Sequence, residues 1–138
     1  MALMPNIGTQ AEATRVVQPK DTAKHLFDHA GEAFPEVLAT ATMIALMELA
    51  AARVLLPLLE PGQLSVGVGV NVKHLAATQV GVEVRAVATY LGAEGKLHRF
   101  KVELVDDGGV AGEGEHTRAI IDEARLLAGA AARGKGGR

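Results

Sequence analysis

The amino-acid sequence predicts an α+β domain in which an antiparallel sheet of about five strands wraps around one long central helix. Three observations carry this. The run FPEVLATATMIALMELAAARVLLPLLEPG, from Phe34 to Gly62, is rich in Ala, Leu and Met, which favour helix. From Gln63 to Asp122 the pattern becomes a Val-rich alternation of period two, broken by short Gly-containing turns. A further strand-like segment, Ala11 to Gln18, precedes both and stops before Pro19, which removes a backbone donor. Consecutive strands with short connections pair antiparallel, and a helix that is apolar on nearly every side needs other elements around it.

Composition sets the limits. The chain has 138 residues, 49% hydrophobic and 22% charged, enough for one domain with a real core. Residues 1–10 read as a flexible N-terminus, 11–132 as the domain, and 133–138 as a flexible tail. The formal net charge of -2 and the confinement of basic clustering to the Gly-containing ARGKGGR end argue against a nucleic-acid surface. Absence of cysteine excludes disulfides, thiolate metal sites and cysteine nucleophiles. MALMPNIGTQ has neither a positive n-region nor a long apolar stretch, so the expected location is cytoplasmic. Val37 to Leu59 is the one segment apolar enough to suggest a membrane span. Glu48, Arg53 and Pro57 interrupt it, and each charge near a bilayer centre costs roughly 2.5–3.5 kcal/mol, so no membrane partner is expected.

Asp21 and Thr22 read as the start of a capped helical turn ahead of AKHLFDHAGEA. His25 and His29 stand four apart, on one face if helical, but no further ligands accompany them, so they read as surface histidines and no metal site is expected. Thr40 or Thr42 is a natural N-cap for the central helix, and Pro57 should end or kink its last turn. In QLSVGVGVNVKHLA, strict alternation puts Val66, Val68, Val70 and Val72 on one face, with Ser65, Gly67, Gly69, Asn71 and Lys73 on the other. An unbulged strand would carry His74 on the valine face, turned toward the helix. Segments 81–95 and 96–109 form a hairpin with His98, Phe100, Val102 and Leu104 on one face. In segment 110–122, Gly112, Gly114, His116 and Arg118 alternate against Glu113, Glu115 and Thr117, and a short helix follows from Asp122.

Several motifs then line up in order: FPEVLAT (34–40), Glu48, EPG (60–62), SVG (65–67), HLAAT (74–78) and GEGEHTRAII (112–121). Together they resemble the fluoroacetyl-CoA thioesterase group of hot-dog proteins over roughly residues 12 to 122. The resemblance implies the hot-dog fold, a homodimer with active sites between subunits, and hydrolysis of an acyl-CoA thioester with no cofactor beyond the CoA of the substrate. It also implies a catalytic Thr40, Glu48 and His74, with Phe34, Gly67 and Arg118 toward the substrate. The approach to Phe34 reads DHAGEAF, with small residues where the family's namesake carries further aromatics.

The residues themselves admit this chemistry. Thioester hydrolysis needs a nucleophile or activated water, a route for protons and polarisation of the carbonyl. Glu48 interrupts an apolar helix, where a charge without a function or a partner is expensive; Arg53 is one possible partner. It suits either direct attack or activation of water. His74 suits proton transfer, or is an ordinary histidine at a strand end. Thr40 suits polarisation of substrate or water, or helix capping. Gly67 offers close backbone approach, or relieves crowding on a curled strand. Arg118 offers a cation for a CoA phosphate, or a structural ion pair. In one straight helix the spacing of Thr40 and Glu48 separates them by about 12 Å and turns them roughly 80° apart, so a loop folded back or a second subunit must bring them together. The rival is a non-catalytic hot-dog module that binds acyl thioesters or only dimerises. A hydratase is disfavoured by the lack of its paired Asp and His motif.

Overall fold

The computed structural model describes residues 4–27 and 29–136. Strand β1 (Gln10–Val16) leads through a short 3-10 turn at Pro19–Asp21 to a single helical turn, α1 (Ala23–Leu26). The long helix α2 (Thr40–Leu55) follows, then strands β2 (Gln63–His74), β3 (Glu83–Glu94), β4 (Leu97–Asp106) and β5 (Gly109–Asp122), and helix α3 (Glu123–Gly136). The five strands form one antiparallel sheet in the order β1-β3-β4-β5-β2. Two of the four strand pairs in this order, β3-β4 and β4-β5, are hairpins between consecutive strands, whereas β1 and β2 are the two edges.

Helix α2 lies in the curl of the sheet, mainly against β1 and β3. Met43, Leu46, Met47, Ala50, Ala51, Val54 and Leu55 make its buried stripe at helical spacing. Opposite them, Val84, Ala86, Ala88 and Tyr90 of β3 and Phe100, Val102 and Leu104 of β4 are buried at every second position. Ala50 and Ala51, like Ala86 and Ala88, are wholly buried and keep the helix close to the sheet. Burying each large side chain here contributes about 1.5–3 kcal/mol. Thr40–Leu58, helix plus the following 3-10 turn, is long and apolar enough to cross a membrane, with a mean hydropathy of 1.7. The buried stripe shows where that hydropathy is used: in a core against a sheet. Leu56–Leu58 is the 3-10 turn into which Pro57 forces the helix end.

The sheet covers helix α2 on most sides and leaves a narrow exposed stripe of Ala41, Ala45, Leu49 and Arg53 at helical spacing. Three expectations change. Neither Thr40 nor Thr42 is the N-cap of α2. Ala39 holds that position without a side-chain cap, Thr40 is the first helical residue, and the Thr42 hydroxyl donates to the Asp21 carbonyl at 3.0 Å. The valines of β2 do not share a face, since a bulge at Val68 shifts the register between Gly67 and Gly69. Before it Ser65 and Gly67 turn toward the helix side; after it Val70, Val72 and His74 do. The ends also differ: Gly8 and Thr9 already bond to Tyr90 of β3, and the last helix runs to Gly136, past the point at 133 where a tail was drawn. Residues 1–3 and 137–138 lie outside those described.

Candidate active site

The segment just before α2 and the segment just after β2 are stitched together. Leu38 N–H donates to the Thr78 carbonyl at 2.9 Å, and Val37 bridges Gln79. Ala39 N–H donates to the Asp21 carbonyl at 3.0 Å, which anchors the start of the helix from the other side. This seam brings Thr40, at the first turn of α2, against His74, at the end of β2. Thr40 Oγ1 and His74 Nδ1 lie 2.9 Å apart in a hydrogen bond. His74 Nε2 is buried and bonds to none of the described residues. Burial pushes the His74 pKa down, with the Ala76 backbone opposing part of the shift, so the ring is a neutral imidazole at neutral pH.

A cavity of about 300 Å³ opens beside this pair, lined among others by Pro35, Val37, Ala39, Leu75 and Ala76. Its walls are small and aliphatic. Phe34 is not among them: it packs on Phe27 with ring centroids 5.1 Å apart. Phe27, the residue just before DHAGEAF, thus places one aromatic ring beside Phe34. His25 Nε2 lies 3.5 Å from Glu36, and no metal-binding cluster of His and carboxylates occurs among the described residues.

Glu48 belongs to a second group, two turns further along α2. Arg118 Nη1 reaches Glu48 Oε1 at 3.1 Å. The guanidinium is buried and the carboxylate is not: their side chains are 8% and 43% exposed. Arg118 Nε also donates to Ser65 Oγ at 3.0 Å, and Nη2 donates to the Ser65 carbonyl at 2.9 Å. Burial draws the Arg118 pKa down while Glu48 opposes the shift. Arg53, the partner suggested by spacing, instead donates to the Glu12 carbonyl. Gly67 faces Glu48 directly. A Cβ there would overlap Glu48 Oε1 and sit 3.3 Å from His116 Cε1, so the missing side chain is the space the carboxylate occupies.

Within one chain the structure thus brings Thr40 to His74, and Glu48 to Gly67 and Arg118, but does not join the two groups. Thr40 lies inside the same helix as Glu48, so a folded-back loop is excluded and the separation is about 12 Å. Two members of the second group escaped the sequence reading. Ser65 looked outward only because the bulge was not visible, and His116 shares Arg118's face of β5, an alternation that was legible but had no partner to give it meaning.

A family model described as fluoroacetyl-CoA-specific thioesterase matches residues 17–124. The chain belongs to this family. A fluoroacetyl-CoA thioesterase of Streptantibioticus cattleyicolor is 41% identical over 108 residues, covering 77% of this chain and 78% of the relative. A solved structure of the fluoroacetyl-CoA thioesterase FlK superposes with a TM-score of 0.86 at 36% identity, over 91% of this chain and 94% of that one. A thioesterase superfamily member from Thermus thermophilus superposes at 0.82 with 31% identity, over 91% and 90%. The fold is accordingly the hot-dog fold, and membership of the fluoroacetyl-CoA-specific thioesterase family makes the chain an acyl-CoA thioesterase. The match spans every residue of both groups, from Thr40 to Arg118.

Proposed function

We propose that this thioesterase hydrolyses a small acyl-CoA to the free acid and CoA at a site shared by two subunits, with Thr40 and His74 from one protomer facing Glu48 from its partner. The observation that carries this is the split itself: a neutral imidazole on a hydroxyl at one end of α2, and a half-exposed carboxylate two turns away. Neither half can complete the chemistry alone. Strand β2 supports the dimer, for it is an edge strand of 12 residues that exposes Leu64, Val68 and Val70. Edge strands in stable monomers are short, charged or covered, and this one is none of these apart from Lys73.

In this reading Glu48 either attacks the thioester carbonyl, expelling the CoA thiolate and leaving an anhydride that water then hydrolyses, or draws a proton from the attacking water; Thr40 polarises substrate or water, and His74 relays the proton released by that water to the CoA thiolate. The reaction uses no cofactor. The cavity beside Thr40 and His74 suits a short acyl group, the fluoroacetyl group of the relatives included. Phe34, on Phe27, lies toward the entry of that group, and the protein works in the cytoplasm. Arg118 is spent on Glu48 and Ser65, which supports a role in holding the carboxylate over one in binding a CoA phosphate.

The test is release of free CoA from short, branched and aromatic acyl-CoAs, wild type beside Glu48→Gln. Hydrolysis confined to small acyl groups, with kcat falling about 10²- to 10⁴-fold in the variant, is expected. Unchanged turnover in Glu48→Gln would remove the mechanism. Binding without turnover by the wild type would leave an acyl-thioester-binding module.

A further inference from the structure

We infer that His116 is a positioning residue for Glu48: it accepts a hydrogen bond from Arg118 and so fixes the guanidinium, and through it the carboxylate, to the bulge of β2. The inference rests on the catalytic role proposed for Glu48.

His116 is buried and lies beneath the site, stacked toward Phe100 with ring centroids 6.3 Å apart. Its Nδ1 is 2.7 Å from the Gly69 carbonyl oxygen. A carbonyl only accepts, so Nδ1 carries the hydrogen. In the neutral ring Nε2 is then a bare acceptor. Arg118 Nη1, which can only donate, stands 3.2 Å from it. The two hydrogens on Nη1 are thereby assigned, one to His116 Nε2 and the other to Glu48 Oε1. With Nε and Nη2 held by Ser65, the guanidinium has no freedom to rotate away from the carboxylate.

The chain of bonds starts at a particular place. Gly69 follows the bulged Val68, and Gly67 precedes it with the space that admits Glu48. One irregularity in β2 therefore sets both ends of the relay: the opening for the carboxylate and the carbonyl that orients the imidazole. The groups that face His116 bear this out, being Arg118 from its own strand, Glu48 from α2, the Gly69 carbonyl from β2, and on β4 the aromatic ring of Phe100. Burial, and the positive charge of Arg118, keep the ring neutral, as the assignment requires.

The experiment is a double-mutant cycle with His116→Phe, Arg118→Met and both together, reading kcat, KM and the thermal midpoint with the acyl-CoA that the wild type turns over best. If His116 acts through Arg118, His116→Phe lowers kcat about tenfold or more with KM little changed, and the double variant is no slower than Arg118→Met alone. His116→Gln, whose side-chain carbonyl can accept from Nη1, recovers most of the loss, whereas His116→Asn is too short and does not. Losses that multiply in the double variant, a His116→Phe enzyme with wild-type kcat, or equal rates for the Gln and Asn variants would overturn the inference. Should His116→Phe fail to fold, the Gln and Asn comparison alone decides. Were the wild type to hydrolyse nothing, the proposed function would fall separately, and the thermal midpoints of the same cycle would decide whether His116 and Arg118 act as one unit.

Discussion

Thr40 and His74 share a 2.9 Å hydrogen bond across 34 residues of sequence, while Glu48, only eight residues from Thr40, stands out of reach on the same helix. The seam between residues 37–39 and 78–79 makes the first relationship, and the rise of the helix forbids the second. The site therefore has two halves, each already organised by its own hydrogen bonds.

Halves contributed by different subunits can complement each other. Glu48→Gln and His74→Ala homodimers should each be nearly inactive. After mixing and exchange, the statistical half of dimers that are mixed each regain one intact site, restoring about a quarter of wild-type activity. No recovery, with subunit exchange verified by mass, would place the whole site in one subunit.

Gly67→Ala should damage activity far more than stability. The added Cβ occupies the position of Glu48 Oε1, and the end of that half-exposed side chain can swing toward solvent to make room. A fall in kcat of about 10- to 100-fold with a stability change within about 1 kcal/mol is expected, read by CoA release and by denaturant unfolding. Full activity would mean the carboxylate works from elsewhere.

Replacing Thr40 separates its uses. Thr40→Ser keeps the hydroxyl on His74 Nδ1, whereas Thr40→Val keeps the shape and loses the bond. Because the Thr40 side chain caps nothing, the valine variant should fold normally and lose about 10²-fold in kcat. An active Thr40→Val enzyme would reduce the hydroxyl to a bystander.

Stability should fall on mild acidification. His74, His98 and His116 all have pKa values held down in the folded protein, in each case chiefly by burial. Such groups bind protons more readily when unfolded, so their contribution is complete above the unfolded histidine pKa, near 6.5, and is lost as pH drops from there through the lower folded values. The thermal midpoint should be flat from about pH 8 to 7 and decline below about pH 6.5, less steeply in His116→Gln. A midpoint that rises on acidification would contradict the burial of these rings.

The inward faces of β4 and β5 were legible from alternation alone, because a regular strand has a strict period of two and both keep it where it matters: His98 to Leu104, and Gly112 to Arg118. So were the end of α2 at Pro57 and the apolar stripe that builds the core. These are local properties, set by propensity, ring geometry and periodicity. The resemblance in order of short motifs carried the family and the hot-dog fold. The partner of Glu48 was not legible, since Arg118 is 70 residues away and only the sheet brings it near. Nor was the facing of Ser65 and Gly67, because one extra residue at Val68 exchanges the faces of half a strand and leaves no mark in a run of alternating valine and glycine. The capping role offered to Thr40 yielded to a tertiary bond with His74 for the same reason: local rules list what a residue can do, and packing chooses among the uses.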